Sequence, residues 1–349
     1  MPARHRRTGR VVRCALAAVL GAAVAAHPGA AQEPRQGTVV TDTLWSQALG
    51  TNKSLIVYLP PSYAANPSRR YPVAYYLHGA QGDETNWTRL GRIAETMDSL
   101  VATGKPEMIV AMPDGDPWSF YTTHNILLDF AGCRRVMLPD TASAATAARD
   151  CVAWSHYDDY VAYDVVRHVD AKYRTQGSRE RRAIAGLSMG GYGAVLLALQ
   201  YPLVFAAAAS HSGVLSPLDF VMGKPFARPL SRSTEDSVRF ERTRAAFAPR
   251  TRVIFGGDSA GWYARDPATI AKRMKGAGGP IPALFADAGV ADAYTPQSRA
   301  FRDALAALDV PLEYHEWPGA HTWVYWRAHV GESLAWIAAR IAASEPPGR

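Results

Sequence analysis

Ser188 stands in the stretch Ile184-Ala185-Gly186-Leu187-Ser188-Met189-Gly190-Gly191-Tyr192-Gly193, with a glycine two positions away on either side. A serine hydroxyl attacks a carbonyl carbon efficiently only when a base takes its proton and a tight turn presents its oxygen. The Gly-x-Ser-x-Gly spacing suits the second need. A strand turns directly into a helix there, and the flanking residues must lack a Cβ so that the two elements can close up. The plainer alternative is an ordinary helix start with Ser188 as its cap. The apolar run from Ala183 to Leu187 places a strand just before the serine and favours the strained turn.

The base has to come from one of ten histidines. A parallel sheet that carries such a turn supplies carboxylate and histidine from later strand ends, in the chain order serine, acid, histidine. His5 and His27 lie in the N-terminal leader, and His78, His124, His156 and His168 precede the serine. His315 reads as a strand residue and His329 as a helix residue. His211 follows a strand close to the serine, but its place in the chain does not fit a base preceded by its own acid. His321 remains, in a turn after Pro318-Gly319-Ala320 and just before the last helix, against the alternative of a surface turn histidine. For the acid, Asp292 in the loop after Gly289 is preferred over Asp287, which reads as still within the strand, and over Asp258 in an insertion. The competing role for Asp292 is an N-cap of the helix beginning near Tyr294 to Pro296.

Acyl transfer also needs two backbone N–H groups aimed at the oxygen that becomes negative. Met189, after the nucleophile, supplies one. The second is expected from the loop His78-Gly79-Ala80 after the strand Val73 to Leu77, from Ala80 before Gly79. Trp87, Trp118, Tyr121, Trp323 and Trp326 fall in or beside loops at that end of the sheet. An aromatic cleft there suits a planar ring or a sugar face, and the alternative is that they anchor loops in the core. No Cys/His cluster has metal-ligand spacing, and this chemistry needs no cofactor.

These residues require a scaffold with several strand ends on one side. Thr38 to Leu49 and Ser54 to Leu59 read as an antiparallel pair around Gly50-Thr51-Asn52. Short apolar runs at Val73 to Leu77, Met108 to Met112, Ala183 to Leu187, Phe205 to Ala209, Ala283 to Ala286 and Leu312 to His315 read as buried strands. Helical periodicity occupies Thr88 to Ala102, Asp158 to Tyr173, Gly191 to Gln200, Pro296 to Leu308 and Trp323 to Ala343. Strands alternating with helices predict an α/β fold: a mostly parallel sheet with helices on both faces and an antiparallel N-terminal pair. Two segments, 114–156 and 216–266, break the rhythm and read as insertions in a single domain spanning 32–349.

Arg4, Arg6, Arg7, Arg10 and Arg13 precede an Ala-rich apolar run from Cys14 to Ala26, followed by Gly29, Ala30 and Ala31. Residues 1–31 therefore read as a secretory signal peptide, too short in its apolar part to be a membrane anchor. The leader holds five of the 38 basic and none of the 31 acidic residues, so the formal charge of +7 falls to about +2 without it. No basic footprint for nucleic acid is left. Cys133 and Cys151 remain as a pair in a chain destined for a secreted or periplasmic setting, which predicts a disulfide.

Taken in order, Leu77-His78-Gly79, Gly186 to Gly193, Gly289 to Asp292 and Gly319-Ala320-His321-Thr322-Trp323 resemble the esterase D-like branch of the α/β-hydrolases. That group includes bacterial feruloyl and acetyl-xylan esterases, S-formylglutathione hydrolases and secreted mycolyl-transferases. The resemblance covers about Thr38 to Arg340. It implies a Ser188–Asp292–His321 triad, an oxyanion hole at Met189 and Gly79-Ala80, and a small-molecule or carbohydrate ester as substrate. Ala320 stands where the family often has a second glycine, and the segment between Phe130 and Trp154 has no recognisable counterpart. The resemblance thus implies a secreted serine carboxylic-ester hydrolase, acting on feruloyl or acetyl esters of carbohydrates. An acyltransferase and a non-catalytic binding protein on the same scaffold are the alternatives.

Overall fold

The computed structural model describes residues 36–123, 156–218, 254–255 and 259–342. The leader, Cys133, Cys151, Asp258 and most of both insertions lie outside these residues. In chain order the described strands are β1 (Thr38–Ser46), β2 (Thr51–Leu59), β3 (Val73–Leu77), β4 (Ile109–Pro113), β5 (Arg182–Leu187), β6 (Ala207–His211), β7 (Ala283–Gly289) and β8 (Glu313–Trp317). The helices are α1 (Asn86–Arg89), α2 (Ile93–Ala102), α3 (157–172, with a π-helical middle), α4 (Met189–Gln200), α5 (Ser259–Tyr263), α6 (Pro267–Gly276), α7 (Thr295–Ala307) and α8 (Trp323–Ile341).

The strands form one sheet in the order β1-β2-β4-β3-β5-β6-β7-β8. β1 and β2 pair antiparallel and so do β2 and β4, while every pair from β4 to β8 is parallel. This is the expected α/β architecture. β3, β4, β5 and β6 are buried at every residue, as parallel strands covered on both faces must be. Successive side chains alternate between two cores. Leu55, Val57, Val73, Tyr75, Ile184 and Ala208 face the layer of α3, α4, α6 and α7. Ile56, Tyr58, Ala74, Tyr76, Ala185 and Ala209 face the layer of α2 and α8.

Several boundaries differ from the sequence reading. The first turn occupies 47–50, with Gly50 at φ 64° and its N–H on the Ser46 carbonyl, so the pairing starts earlier in β2 than Gly50-Thr51-Asn52 suggests. The helix expected over Thr88 to Ala102 is two helices, separated at Arg92, whose φ is 53°. Gly91, between the two, packs so closely on Trp87 that a Cβ there would come within 2.7 Å of its ring. β6 runs two residues further than expected and ends on His211 rather than before it.

Candidate active site

The junction of β5 and α4 holds Ser188 at φ 53°, ψ −115°, a conformation that a residue with a side chain adopts only under strain. The tight approach that produces it is visible in the neighbouring glycines. A Cβ on Gly186 would lie 2.4 Å from the Gly190 carbonyl oxygen, and one on Gly190 would lie 2.4 Å from that of Leu77. Neither site has room for any side chain. The sharp turn lifts Ser188 out of the sheet at its C-terminal edge, where its side chain keeps a small exposed surface.

His321 sits in the turn between β8 and α8, and its Nε2 is 2.9 Å from Ser188 Oγ. Its Nδ1 is 2.9 Å from Asp292 Oδ2. Asp292, in the turn after β7, is wholly buried, and its Oδ1 accepts the Tyr294 backbone N–H at 2.8 Å. That bond fixes the carboxylate, so the other oxygen is aimed at the imidazole. The Tyr294 ring lies on His321 with centroids 4.7 Å apart, and Trp326 meets the imidazole edge-on at 4.9 Å. Burial, with the Asp292 charge beside it, pushes the Tyr294 phenol well above its ordinary range, so this ring stays neutral. The structure thus joins Ser188, His321 and Asp292. Asp287, the rejected acid, points elsewhere.

The Gly79-Ala80 loop lies against the nucleophile: a Cβ on Gly79 would come 3.5 Å from Ser188 Cβ. His78 sets how that loop presents itself, a role not readable from its sequence position. Its ring is 1% exposed, Nε2 accepts the Gly115 N–H at 2.8 Å, and Nδ1 lies 2.8 Å from the Gly79 carbonyl oxygen. Because Nε2 accepts, Nδ1 carries the proton and donates to Gly79. The Gly82 N–H bonds the same carbonyl at 3.1 Å. With the Gly79 carbonyl tied down, the planar trans peptide leaves the Ala80 N–H pointing the opposite way. Met189 is the first residue of α4, where backbone N–H groups have no partner within the helix.

The cleft over Ser188 is lined by Gly79, Ala80, Gln81, Asn86, Trp118, Leu187, Tyr294, His321, Trp323 and Trp326. Three of the expected aromatic residues, Trp118, Trp323 and Trp326, are therefore in it. Trp87 and Tyr121 are not, and this corrects the sequence reading. Trp87 is 1% exposed; its indole N–H donates to the Leu77 carbonyl at 2.9 Å, and its ring supports Trp323 edge-on at 5.5 Å. Tyr121 is wholly buried, and its hydroxyl donates to the His78 carbonyl at 3.1 Å. Both hold the end of β3 from behind. Gln81, Asn86, Leu187 and Tyr294 are lining residues that no motif announced.

Among the described residues, His156, Asp158 and Asp159 are the single group with donor atoms close enough to share a cation, and they carry no part of this cleft. No helix of the described residues is long and apolar enough to cross a membrane.

A parallel sheet whose strained serine turn meets a histidine–aspartate pair from later strand ends defines an α/β-hydrolase fold. Within that class the chain belongs to the Esterase family, whose model matches residues 46–337. It is 29% identical over 302 residues to the Mycobacterium tuberculosis esterase Rv1288, covering 79% of this chain and 54% of that protein. The chain thus spans about half the length of this curated relative. A ferulic acid esterase structure is 26% identical, with a TM-score of 0.60 over 88% of this chain and 99% of that one. The Staphylococcus aureus fluorophosphonate-binding serine hydrolase FphF superposes with a TM-score of 0.64 at 22% identity, over 87% and 99% of the two chains, and shares the fold.

Proposed function

We propose that the protein is an exported serine carboxylic-ester hydrolase that cleaves esters of aromatic or acetyl acids on carbohydrates through an acyl-enzyme. The observation that carries this reading is the unbroken path from Ser188 Oγ to His321 Nε2 and from His321 Nδ1 to Asp292, each contact 2.9 Å. His321 takes the Ser188 proton as Oγ attacks the ester carbon, and the Met189 and Ala80 N–H groups receive the oxyanion. The tetrahedral adduct collapses as His321 hands the proton to the departing alcohol oxygen. Water, deprotonated by the same imidazole, then attacks the acyl-serine and frees the acid. Asp292 holds the ring in the tautomer that presents Nε2 to the serine.

Support for the aromatic acyl group comes from Trp118 and Trp323 in the cleft and from the likeness to a ferulic acid esterase. The arginine-flanked apolar leader supports export. The test is a panel of acetyl, butyryl and feruloyl p-nitrophenyl or methyl esters with the mature chain, paired with fluorophosphonate labelling and peptide mass spectrometry. Turnover and a label on Ser188 are expected. Absence of both would favour the binding-protein alternative, and ester formed on an added sugar hydroxyl in place of free acid would favour the transferase.

A further inference from the structure

On the face of the sheet covered by α8 lies a polar cluster that the proposed reaction does not use. Tyr76, His211, Asp287 and Ser333 have no exposed surface, and Tyr325 is 3% exposed. The Tyr76 hydroxyl lies 2.9 Å from Ser333 Oγ, which in turn lies 2.7 Å from His211 Nε2. His211 Nδ1 is 2.6 Å from Asp287 Oδ2, and the Tyr325 hydroxyl donates to Asp287 Oδ1 at 2.9 Å. The cluster needs a reason to exist: buried polar side chains are often no more stabilising than apolar residues of the same volume.

Each element that contributes to the cluster also delivers a part of the candidate site. Tyr76 precedes Leu77-His78-Gly79-Ala80 on β3. His211 ends β6, and its carbonyl accepts the Ser188 N–H at 2.9 Å. Asp287 lies on β7, which leads to Asp292, and its carbonyl accepts the Ser212 N–H at 2.7 Å. Tyr325 and Ser333 lie on α8, which follows His321 directly. The Tyr325 ring also closes over the turn that carries His321, because a Cβ on Gly319 would come within 2.5 Å of it. Ser188 and Ser212, at φ 53° and 50°, are both strained and both bonded to this frame. Such strain persists only where the surroundings over-determine the backbone.

We propose that Tyr76, Ser333, His211, Asp287 and Tyr325 are positioning residues that hold the Ser188 turn, the oxyanion loop and the His321 turn in register. The proposal rests on the serine-esterase reading above. It acts through geometry: displacements of about 1 Å at a reacting pair can cost a factor of roughly a hundred in rate.

Tyr325→Phe removes one hydroxyl while keeping the ring over Gly319, and Ser333→Ala removes another at the opposite end of the cluster. With p-nitrophenyl acetate each variant is expected to lose about ten- to a hundredfold in kcat. KM should stay within about twofold, because neither residue lines the cleft. Fluorophosphonate labelling of Ser188 should slow by the same factor as kcat. Asp42→Asn, which removes a buried carboxylate on β1 at the far edge of the sheet, serves as the control and should lose thermal stability at unchanged kcat. Unchanged kcat in Tyr325→Phe and Ser333→Ala, whatever their loss of melting temperature, overturns the proposal, and so does a rise in KM without a fall in kcat. A parent chain that neither turns over esters nor labels at Ser188 overturns instead the serine-esterase reading, before any variant is made.

Discussion

The described residues include two serine–histidine–aspartate series, one in turns at the strand ends and one spanning β6, β7 and α8. Ser188–His321–Asp292 opens into a cleft, with the imidazole 27% exposed, whereas Ser333–His211–Asp287 is sealed beneath α8. The contact distances of the two are alike: 2.9 and 2.9 Å in the first, 2.7 and 2.6 Å in the second. Distance alone therefore does not make a nucleophile. Ser188 is held in a strained turn with backbone N–H groups nearby and room for a carbonyl. Ser333 is in the middle of a helix, its Oγ already donating to the Val330 carbonyl at 3.0 Å. In the proposed reaction the first series passes a proton, whereas the second is closed to any substrate.

Removing the two serines is the sharpest way to break this comparison. Ser188→Ala should lower kcat by about a million-fold with the fold intact, whereas Ser333→Ala should lose no more than about a hundredfold. Equal losses, measured in the same ester assay, would mean that the comparison is wrong. The acids come next. Asp292→Asn should cost about ten-thousand-fold in kcat, because the amide favours the wrong imidazole tautomer. Asp287→Asn keeps an oxygen for the Tyr325 hydroxyl and should show the smaller loss together with a lower melting temperature.

How much of this was readable beforehand depended on whether a residue's role is written in backbone demands or in the direction of a side chain. The Ser188 turn was legible because Gly186 and Gly190 have no space for a Cβ, and such constraints leave glycines at fixed spacing. Asp292 and His321 were the acid and base chosen from the sequence because loops after successive strands converge on one edge of a parallel sheet. Trp87 and Tyr121 misled, since an aromatic residue beside the site has the same sequence signature whether it lines a cleft or props it from behind. His211 read as a residue beyond its strand, because the small residues of Ala206 to Ser210 give no boundary signal.

His78 offers a prediction of intermediate size, on the oxyanion loop that the open series needs and the sealed one lacks. His78→Gln should free the Gly79 carbonyl and let the Gly79–Ala80 peptide rotate. Losing one oxyanion donor costs up to about a hundred- to a thousandfold in kcat, and a donor only loosened should cost less. KM should change little. Asp114, next to this ring, is held well below the usual carboxylate range: burial opposes ionisation, but the Lys53 ammonium 2.6 Å away outweighs it.

A third histidine–carboxylate pair provides the smallest effect and separates position from contact. His168 Nε2 lies 2.8 Å from Asp42 Oδ2, as close as the pairs above, but on β1 and α3 at the far edge of the sheet. Asp42 also accepts from Lys172, from the Tyr173 hydroxyl at 2.8 Å and from the Thr43 N–H at 2.7 Å. Its burial opposes ionisation, but these donors prevail and hold the carboxyl well below its ordinary value. A carboxylate with a lowered folded pKa stabilises the fold fully above its unfolded pKa of about 3.9, and that contribution fades as pH falls towards the folded value. Asp42→Asn should then melt a few degrees below the parent at pH 7, on the order of 1–3 kcal/mol for lost bonds to a charged acceptor. The gap should close progressively below about pH 4, where the unfolded parent takes up a proton that the folded carboxylate still refuses. kcat should not move at either pH, because no bond from Asp42 reaches the strand ends that hold Ser188, Asp292 and His321. A fall in kcat would show that the edge of the sheet is coupled to the cleft, and the contrast between the three pairs would then be one of degree.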